Sequence, residues 1–433
     1  MISFALRCQL IDFREDPSYA TAALAHIEDA GIWVEAGTIR AAGRWCDVQA
    51  VLPESVERFA RPHWLAAPGF VDAHIHLPQV DVIASPASGL LPWLERYTFP
   101  AELGFADPAV ARSTSRFFLD ELARQGTTSA CVFGTVHAAS VEALFAEAAT
   151  RDVRLIAGKC LMDRNCPPGL RDSARGGVED SARLADAWHG RGRLAYAITP
   201  RFAATSSREQ LEAAGELARL RPDFYVQSHV AENTDEIRWI AELFPQARSY
   251  LDVYDRYGLL NARSIYAHCI WLDEADRARM AATGALAAVS PTSNLFLGSG
   301  LFDFARCLDA GMRIVLATDV GGGQSFSMFS AMRAAHEVGR LRGWALSAAQ
   351  LWWWASTGAA QALGWGGKVG RIAAGHEADF ILLDPRATPL LARRTARAGS
   401  IEELLFVLII LGDDRVVAET YIAGRPAKRS AAS

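Results

Sequence analysis

Between Leu65 and Gly366, short apolar runs alternate with helical stretches, and this alternation constrains the fold more than any other feature of the chain. Eight runs read as strands: near Phe70–Val71, Thr128–Phe133, Arg154–Gly158, Leu194–Thr199, Phe224–Ser228, Ser264–Ala267, Ala285–Val289 and Arg313–Ala317. Apolar runs too short for helices, separated by helical patterns, indicate parallel strands joined by crossover helices. Eight βα units in about 300 residues match an α/β fold of the TIM (β/α)8 barrel type with insertions. An open doubly wound sheet satisfies the same pattern.

Two β-rich stretches flank this middle. Met1–Asp12 is strand-like, and Gly31–Ile39 reads as strand–turn–strand. Near the other end, Gly375–Asp384 places an apolar strand behind a turn, and Val416–Ile422 offers another before Gly424. Each flank alone is too small for a core, so the two are expected to pack as one discontinuous β-sandwich domain. The expected division is 1–65 with 367–433 for that domain, and 66–366 for the barrel. Asn165–Val178, with its prolines and glycines, reads as a surface loop. Asp81–Phe105 is long for a βα loop and unusually apolar, which suits a lid over a pocket or a helix packed on the barrel.

Composition narrows the function classes. The 433 residues are 51% hydrophobic and 21% charged, the balance of a globular protein. Lys plus Arg number 44 against 49 Asp plus Glu, a net charge of −5, so no electrostatic footprint for nucleic acid or anionic membrane exists. The longest apolar run, Leu404–Leu411, is 8 residues, whereas a membrane-spanning helix needs about 20. The N-terminal stretch carries Arg7 and Gln9 and lacks a signal-peptide core. Seven cysteines without a CxxC pair fit reduced thiols, hence a cytoplasmic location.

The polar groups that could carry chemistry lie where the strands finish. The first ends in Asp72-Ala73-His74-Ile75-His76. Residues two apart on a strand share a face, so His74 and His76 can hold one metal ion. By itself an HxH pair more often just solvates a loop. Here the fifth strand ends at His229, the sixth at His268 and the eighth at Asp319, all at the expected C-terminal rim, where barrel enzymes build their sites. Three imidazoles and a carboxylate suit a first-row metal, with His268 left nearby. His26, His63, His189, His336 and His376 lack strand-end placement and read as surface or packing residues; His137 approaches the rim without other support. Gly321-Gly322-Gly323 follows a strand, but no Gly-Lys-Ser/Thr comes after it, so a phosphate loop is not indicated.

These residues carry a resemblance. Pro68-Gly69-Phe70-Val71-Asp72-Ala73-His74-Ile75-His76 resembles the signature of the amidohydrolase superfamily. Four further segments resemble its guanine-deaminating branch: Trp93–Glu102, His229-Val230-Ala231-Glu232-Asn233, Ser290–Leu295 and Thr318–Gly322. The matches stand in the right order and span nearly the whole chain. The resemblance implies hydrolytic deamination of guanine to xanthine and ammonia at one metal ion per chain. Zinc is the usual ion, and iron or manganese also suits such donors. Relatives that bridge two ions do so with a modified Lys on the fourth strand, where this chain has Ile198 and Thr199; Lys159 ends the third.

The roles implied follow residue by residue. His74, His76, His229 and Asp319 hold the metal, which activates a water, and Asp319 takes a proton from it. His268 orients the nucleophile. Glu232 shuttles a proton to the ring nitrogen and then to the departing amine. Arg201, in Thr199-Pro200-Arg201-Phe202, binds the purine carbonyl oxygen. An always-charged donor suits that acceptor and disfavours adenine. Phe202 can flank the ring, and Gln79 can both donate and accept, as a lactam edge requires. Helix-capping for Glu232 and a rim salt bridge for Arg201 are the plain structural readings beside these. A homodimer is expected, with no nucleic-acid or membrane partner. Two other readings stand: a deaminase for another aminated ring, such as a pterin or triazine, and a silent scaffold. The latter is disfavoured because no ligand or acid is missing. The alternative zinc deaminase fold needs P-C-x-x-C, which this chain lacks.

Overall fold

Each of the eight runs is a strand in the computed structural model, which describes residues 2–20, 23–86 and 88–428. Met1 of the first strand-like stretch and residue 87 of the 81–105 segment lie outside the described residues. The strands are Phe70–His76, Thr127–Phe133, Arg154–Gly158, Leu194–Pro200, Tyr225–Val230, Ser264–His268, Leu286–Val289 and Arg313–Leu316. Each pairs in parallel with the next in chain order.

Closure of the last strand onto the first decides between a barrel and an open sheet. The Asp319 N–H donates to the His74 carbonyl at 2.9 Å, and the His76 N–H donates to the Val320 carbonyl at 2.9 Å. Across the same seam the Asp72 carboxylate accepts from Thr318 N at 3.1 Å and from the Thr318 hydroxyl, and within its own strand from His74 N at 3.3 Å. The fold is a nearly closed barrel. Alternate strand positions, among them Val71, Cys131, Ile156, Ala197, Ile265, Leu286 and Val315, form an inner cluster together with Leu363 and Trp365. The intervening positions join the larger core shared with the helices. This two-sided burial is why the strands read as continuous apolar runs.

The chain ends build a second sheet. Its seven strands run in the order Arg425–Pro426, Val417–Ile422, Phe380–Leu383, Glu57–Pro68, Ser3–Phe13, Leu24–Glu35 and Thr38–Arg44. They pair along one path around a core of Leu6, Leu10, Ile32, Val34, Phe380 and Leu382. The hairpin between Leu24–Glu35 and Thr38–Arg44 turns at Ala36 (φ 51°) and Gly37 (φ 81°), the left-handed pair that matches strand twist. The helices Pro389–Thr395 and Ile401–Leu411 interrupt this sheet in sequence. The apolar run Leu404–Leu411 lies in the second of them, which packs on the barrel-side helices Met328–Leu341 and Ala348–Ala355. Among the described residues no helix is long and apolar enough to cross a membrane.

The stretch expected to be a loop at 165–178 is only partly one. A 3-10 turn, Pro168–Leu170, precedes the helix Ala174–Trp188. Ser173 caps that helix by accepting from Gly176 N at 3.1 Å. Glycines in a first helical turn hid its start, because glycine is a poor helix former whose local signal is that of a turn.

Candidate active site

The first strand carries His74 and His76 to the C-terminal rim, the fifth carries His229, and Asp319 follows the eighth. Their ligand atoms lie within 4.8 Å of one another. Asp319 Oδ1 stands 3.1 Å from His74 Nε2 and 3.3 Å from His76 Nε2. His76 Nε2 is 3.2 Å from both His74 Nε2 and His229 Nε2. Ligands about 2.0 Å from one tetrahedral ion stand about 3.3 Å apart, so these separations are those of an ion's coordination shell.

Tautomers and charge support the same reading. His229 Nδ1 lies 2.6 Å from the Arg201 carbonyl, an acceptor, so the ring proton sits on Nδ1 and Nε2 presents a lone pair. Burial lowers the pKa of His74, pushes His76 down to about 3, and with the neighbouring imidazoles holds His229 well below its ordinary value. Burial opposes charge on Asp319 as well, yet the His74, His76 and His268 rings hold its carboxyl well below the usual range. Neutral imidazoles facing one another by their Nε2 atoms, beside an ionised carboxylate, fit a divalent cation.

His268 stands beside this set rather than in it. Its Nδ1 is 2.9 Å from Asn294 Oδ1, which turns Nε2 toward Glu232 Oε2 at 3.3 Å and Asp319 Oδ2 at 3.8 Å. Glu232 also accepts from the Ser299 hydroxyl at 2.9 Å. Burial and the Asp319 charge push its carboxyl up to about 8, against the opposing pull of Ser299 and Arg201. Ala231 (φ 52°), His268 (φ 71°) and Asp319 (φ 52°) all occupy the left-handed region, which non-glycine residues visit rarely and mostly where function holds them.

A cavity opens over these groups. His76, His229, Glu232, Glu236, His268 and Asp319 line it together with Gln79, Arg201 and Phe202, and Leu90, Trp93, Leu94 and Leu297 are its apolar walls. The sequence-derived set is therefore brought together except for His74, which faces the donor cluster without lining the cavity. Phe202 packs edge-on against Trp239 at 6.0 Å. Arg201 does make a salt bridge, as its plain reading held. Its Nη1 donates to Glu102 Oε1 at 2.6 Å, both residues being buried. Gln79 Oε1 accepts from Gly321 N at 3.1 Å. Burial raises the Glu102 pKa, and Arg201 and Gln79 oppose the rise.

Four residues escaped the sequence reading. Glu102 and Asn294 lie inside the quoted segments Trp93–Glu102 and Ser290–Leu295 without an assigned role there; Glu236 stands three residues after Asn233, the spacing of a helix-capping box that could have drawn attention to it, while Ser299 carried no signal. The glycine run after Asp319 is explained by close approach: a Cβ on Gly323 would meet the Thr318 carbonyl at 1.8 Å, and one on Gly321 the Gln79 carbonyl at 2.4 Å. The 81–105 segment both walls the cavity, through Leu90, Trp93 and Leu94, and joins the core, through Phe99 and Phe105. Among the remaining histidines, His137 occupies the N-cap position of the helix Ala138–Arg151 without a side-chain capping bond and stays outside the donor cluster.

Comparison with known proteins agrees with this geometry. The chain is 41% identical over 424 residues to the guanine deaminase of Escherichia coli, covering 97% of each. A solved structure of the E. coli guanine deaminase superposes with a TM-score of 0.96 over 98% of this chain and 99% of that one. A probable guanine deaminase of Deinococcus radiodurans is 39% identical, over 96% of this chain and 97% of its own length. The guanine deaminase of C. acetobutylicum, solved with guanine bound, is 26% identical with a TM-score of 0.88, over 98% and 100%. The sequence model of the Amidohydrolase family matches residues 65–427, and with the barrel and its rim of donors in place, this chain belongs to that family.

Proposed function

We propose that the protein is a guanine deaminase that hydrolyses guanine to xanthine and ammonia. The observation that carries this reading is that one cavity is lined both by metal-donor and acid–base side chains and by Arg201 and Gln79. His74, His76, His229 and Asp319, with Glu232 and His268 beside them, form a hydrolytic end. Arg201, held by Glu102, would read the purine edge with Gln79, and Phe202 lines the same cavity. The full-length similarity to guanine deaminases supports the same substrate.

The four donors would hold one ion, and a nitrogen-rich set with a single carboxylate suits zinc best. When bound, such an ion supplies Lewis acidity and a water activated near neutral pH. Asp319, ionised, is the base that accepts a proton as water attacks the ring carbon. Glu232, protonated near neutrality, donates to the adjacent ring nitrogen, and later proton transfer through this pair releases ammonia. His268, fixed by Asn294, orients the nucleophile through Nε2. Arg201 donates to the purine carbonyl with its free guanidinium N–H groups while Glu102 fixes its plane.

The working unit we infer is a homodimer in the cytoplasm, readings supported by the family resemblance and by seven free cysteines, six of them buried. The experiment that tests the function is incubation of metal-analysed protein with aminopurines, pterins, triazines and pyrimidines, followed by an ammonia assay. Guanine should release ammonia fastest and adenine poorly. A preference for adenine, or indifference to purines, overturns the substrate assignment and leaves only a metal-dependent hydrolase.

A further inference from the structure

We propose that Glu236, held by Tyr250, is a positioning residue that sets where the Glu232 carboxyl lies in the cavity, a role resting on the assignment of Glu232 as proton carrier. The strand that delivers His229 ends at Val230, and the chain then turns through Ala231 at φ 52° before Glu232. A turn in that region needs support from its surroundings to persist. On one side the Ala231 carbonyl accepts from Ile270 N at 3.1 Å and Trp271 N at 3.0 Å; on the side of Glu232 itself the support comes from Glu236. Its Oε2 accepts from Glu232 N at 3.1 Å and from Asn233 N at 3.3 Å.

The second of these bonds belongs to an ordinary helix cap, in which Asn233 and Glu236 exchange hydrogen bonds at the start of Thr234–Leu243. The first does not: it reaches one residue further back, to the peptide of the proton carrier itself. Nor does a cap explain Glu236 Oε1, which accepts from the Tyr250 hydroxyl at 2.8 Å. Tyr250 begins the helix Tyr250–Arg256, and Tyr254 stands one turn later on it, the two rings stacked at 5.7 Å. The Tyr254 hydroxyl donates to the His229 carbonyl at 2.9 Å and lies 2.8 Å from Ser228 Oγ. One short helix thus braces both the strand end that bears His229 and the turn that bears Glu232. All three bracing side chains are buried: Glu236 1% exposed, Tyr250 4% and Tyr254 0%. Such burial of a carboxylate and two hydroxyls is tolerated because each has a partner.

The test uses the whole metal-loaded protein. Tyr250→Phe keeps the ring stack and removes the hydroxyl, and Glu236→Gln keeps an oxygen for the two backbone N–H groups while putting an amide NH2 where an oxygen accepted from Tyr250, so both variants break the same brace. Each should lower kcat for guanine by about tenfold or more with KM within about twofold, because misplacement of a reacting group lowers turnover rather than binding. Metal content should match the parent. The decisive arm places Tyr250→Phe on a Glu232→Gln background: the residual rate should then not fall further, because no carboxyl proton remains to be positioned. Parent-like kcat in both single variants, or an equal loss repeated in the Glu232→Gln background, overturns the proposal. Should Tyr250→Phe lose metal, Glu236→Gln takes its place in the same cycle. If the parent releases no ammonia from guanine, the functional assignment fails separately, and the cycle is read on whichever aminated ring it turns over.

Discussion

Glu232 works under two opposed influences, and the balance between them is measurable. Burial and the Asp319 charge favour its protonated form, while the Ser299 hydroxyl favours the carboxylate. In the proposed role of proton donor, a raised pKa would keep that proton in place at neutrality and surrender it on the alkaline side, so kcat/KM should fall there. Ser299→Ala removes a bond to the charged form, raises the pKa further and should move the alkaline limb to higher pH; a stationary limb would assign it to another group. Glu232→Gln should retain metal and fold yet lose activity by roughly 10²-fold or more. At the purine edge, Arg201→Ala should cut kcat/KM for guanine by about 10- to 150-fold, the loss of a charged hydrogen bond. Arg201→Lys should recover only part, since an ammonium lacks the planar fork. Glu102→Gln should follow Arg201→Ala in direction with normal metal content, and unchanged kinetics would show that Arg201 needs no such partner. The donors were legible in the chain because each follows an apolar run at a strand end. Glu102 was not, because its partner Arg201 lies 99 positions along the chain and no local pattern joins the two.

Elements set how firmly those residues are held. The seam between the first and last barrel strands rests on Asp72, whose carboxylate gathers the Thr318 N–H and hydroxyl and the His74 N–H. Asp72→Ala should leave buried donors unpaired, at about 1–3 kcal/mol each. Denaturant midpoints should drop accordingly, with metal occupancy falling alongside, because the same strand ends carry His74, His76 and Asp319. A variant that loses stability but keeps full occupancy would uncouple seam from site. The eight strands could be read from the sequence because burial on both faces makes their apolar runs continuous. Barrel closure could not, since the bonds that close it join positions some 240 residues apart and the same alternation serves an open sheet. The helix Ala174–Trp188 was half hidden for a local reason, two glycines in its first turn.

Across the whole molecule, the chain-end sheet is bound to the barrel by an ion-pair group. Arg193 contacts Glu377 at 2.8 Å and also Asp379, and Arg154 contacts Glu377 at 2.7 Å. That both flanks pack together was readable from their size, while the helical insertion within the second flank was masked by its apolar composition. Metal should stabilise the entire assembly. An ion that binds only the folded state adds stability by mass action, about 4 kcal/mol at a thousandfold excess over Kd. Chelation should therefore lower Tm, and metal should restore it. His74→Ala or His229→Ala should lose most of the roughly one equivalent per chain and should show no such metal-dependent shift. Two tightly bound ions per parent chain would overturn the mononuclear assignment.

The seam has a consequence for how the protein is made. Two donors stand near the beginning of the barrel, at His74 and His76, and the last stands after its eighth strand, at Asp319. A growing chain that has emerged only as far as the seventh strand carries the set's three imidazoles but not the carboxylate that completes it. The complete pocket for an ion comes into being only when the barrel's two ends meet. Tight metal uptake is then a certificate of finished assembly: a nascent or truncated chain ending before Asp319 should bind the ion weakly, and during refolding the tightly held ion should appear with the last structural phase rather than the first.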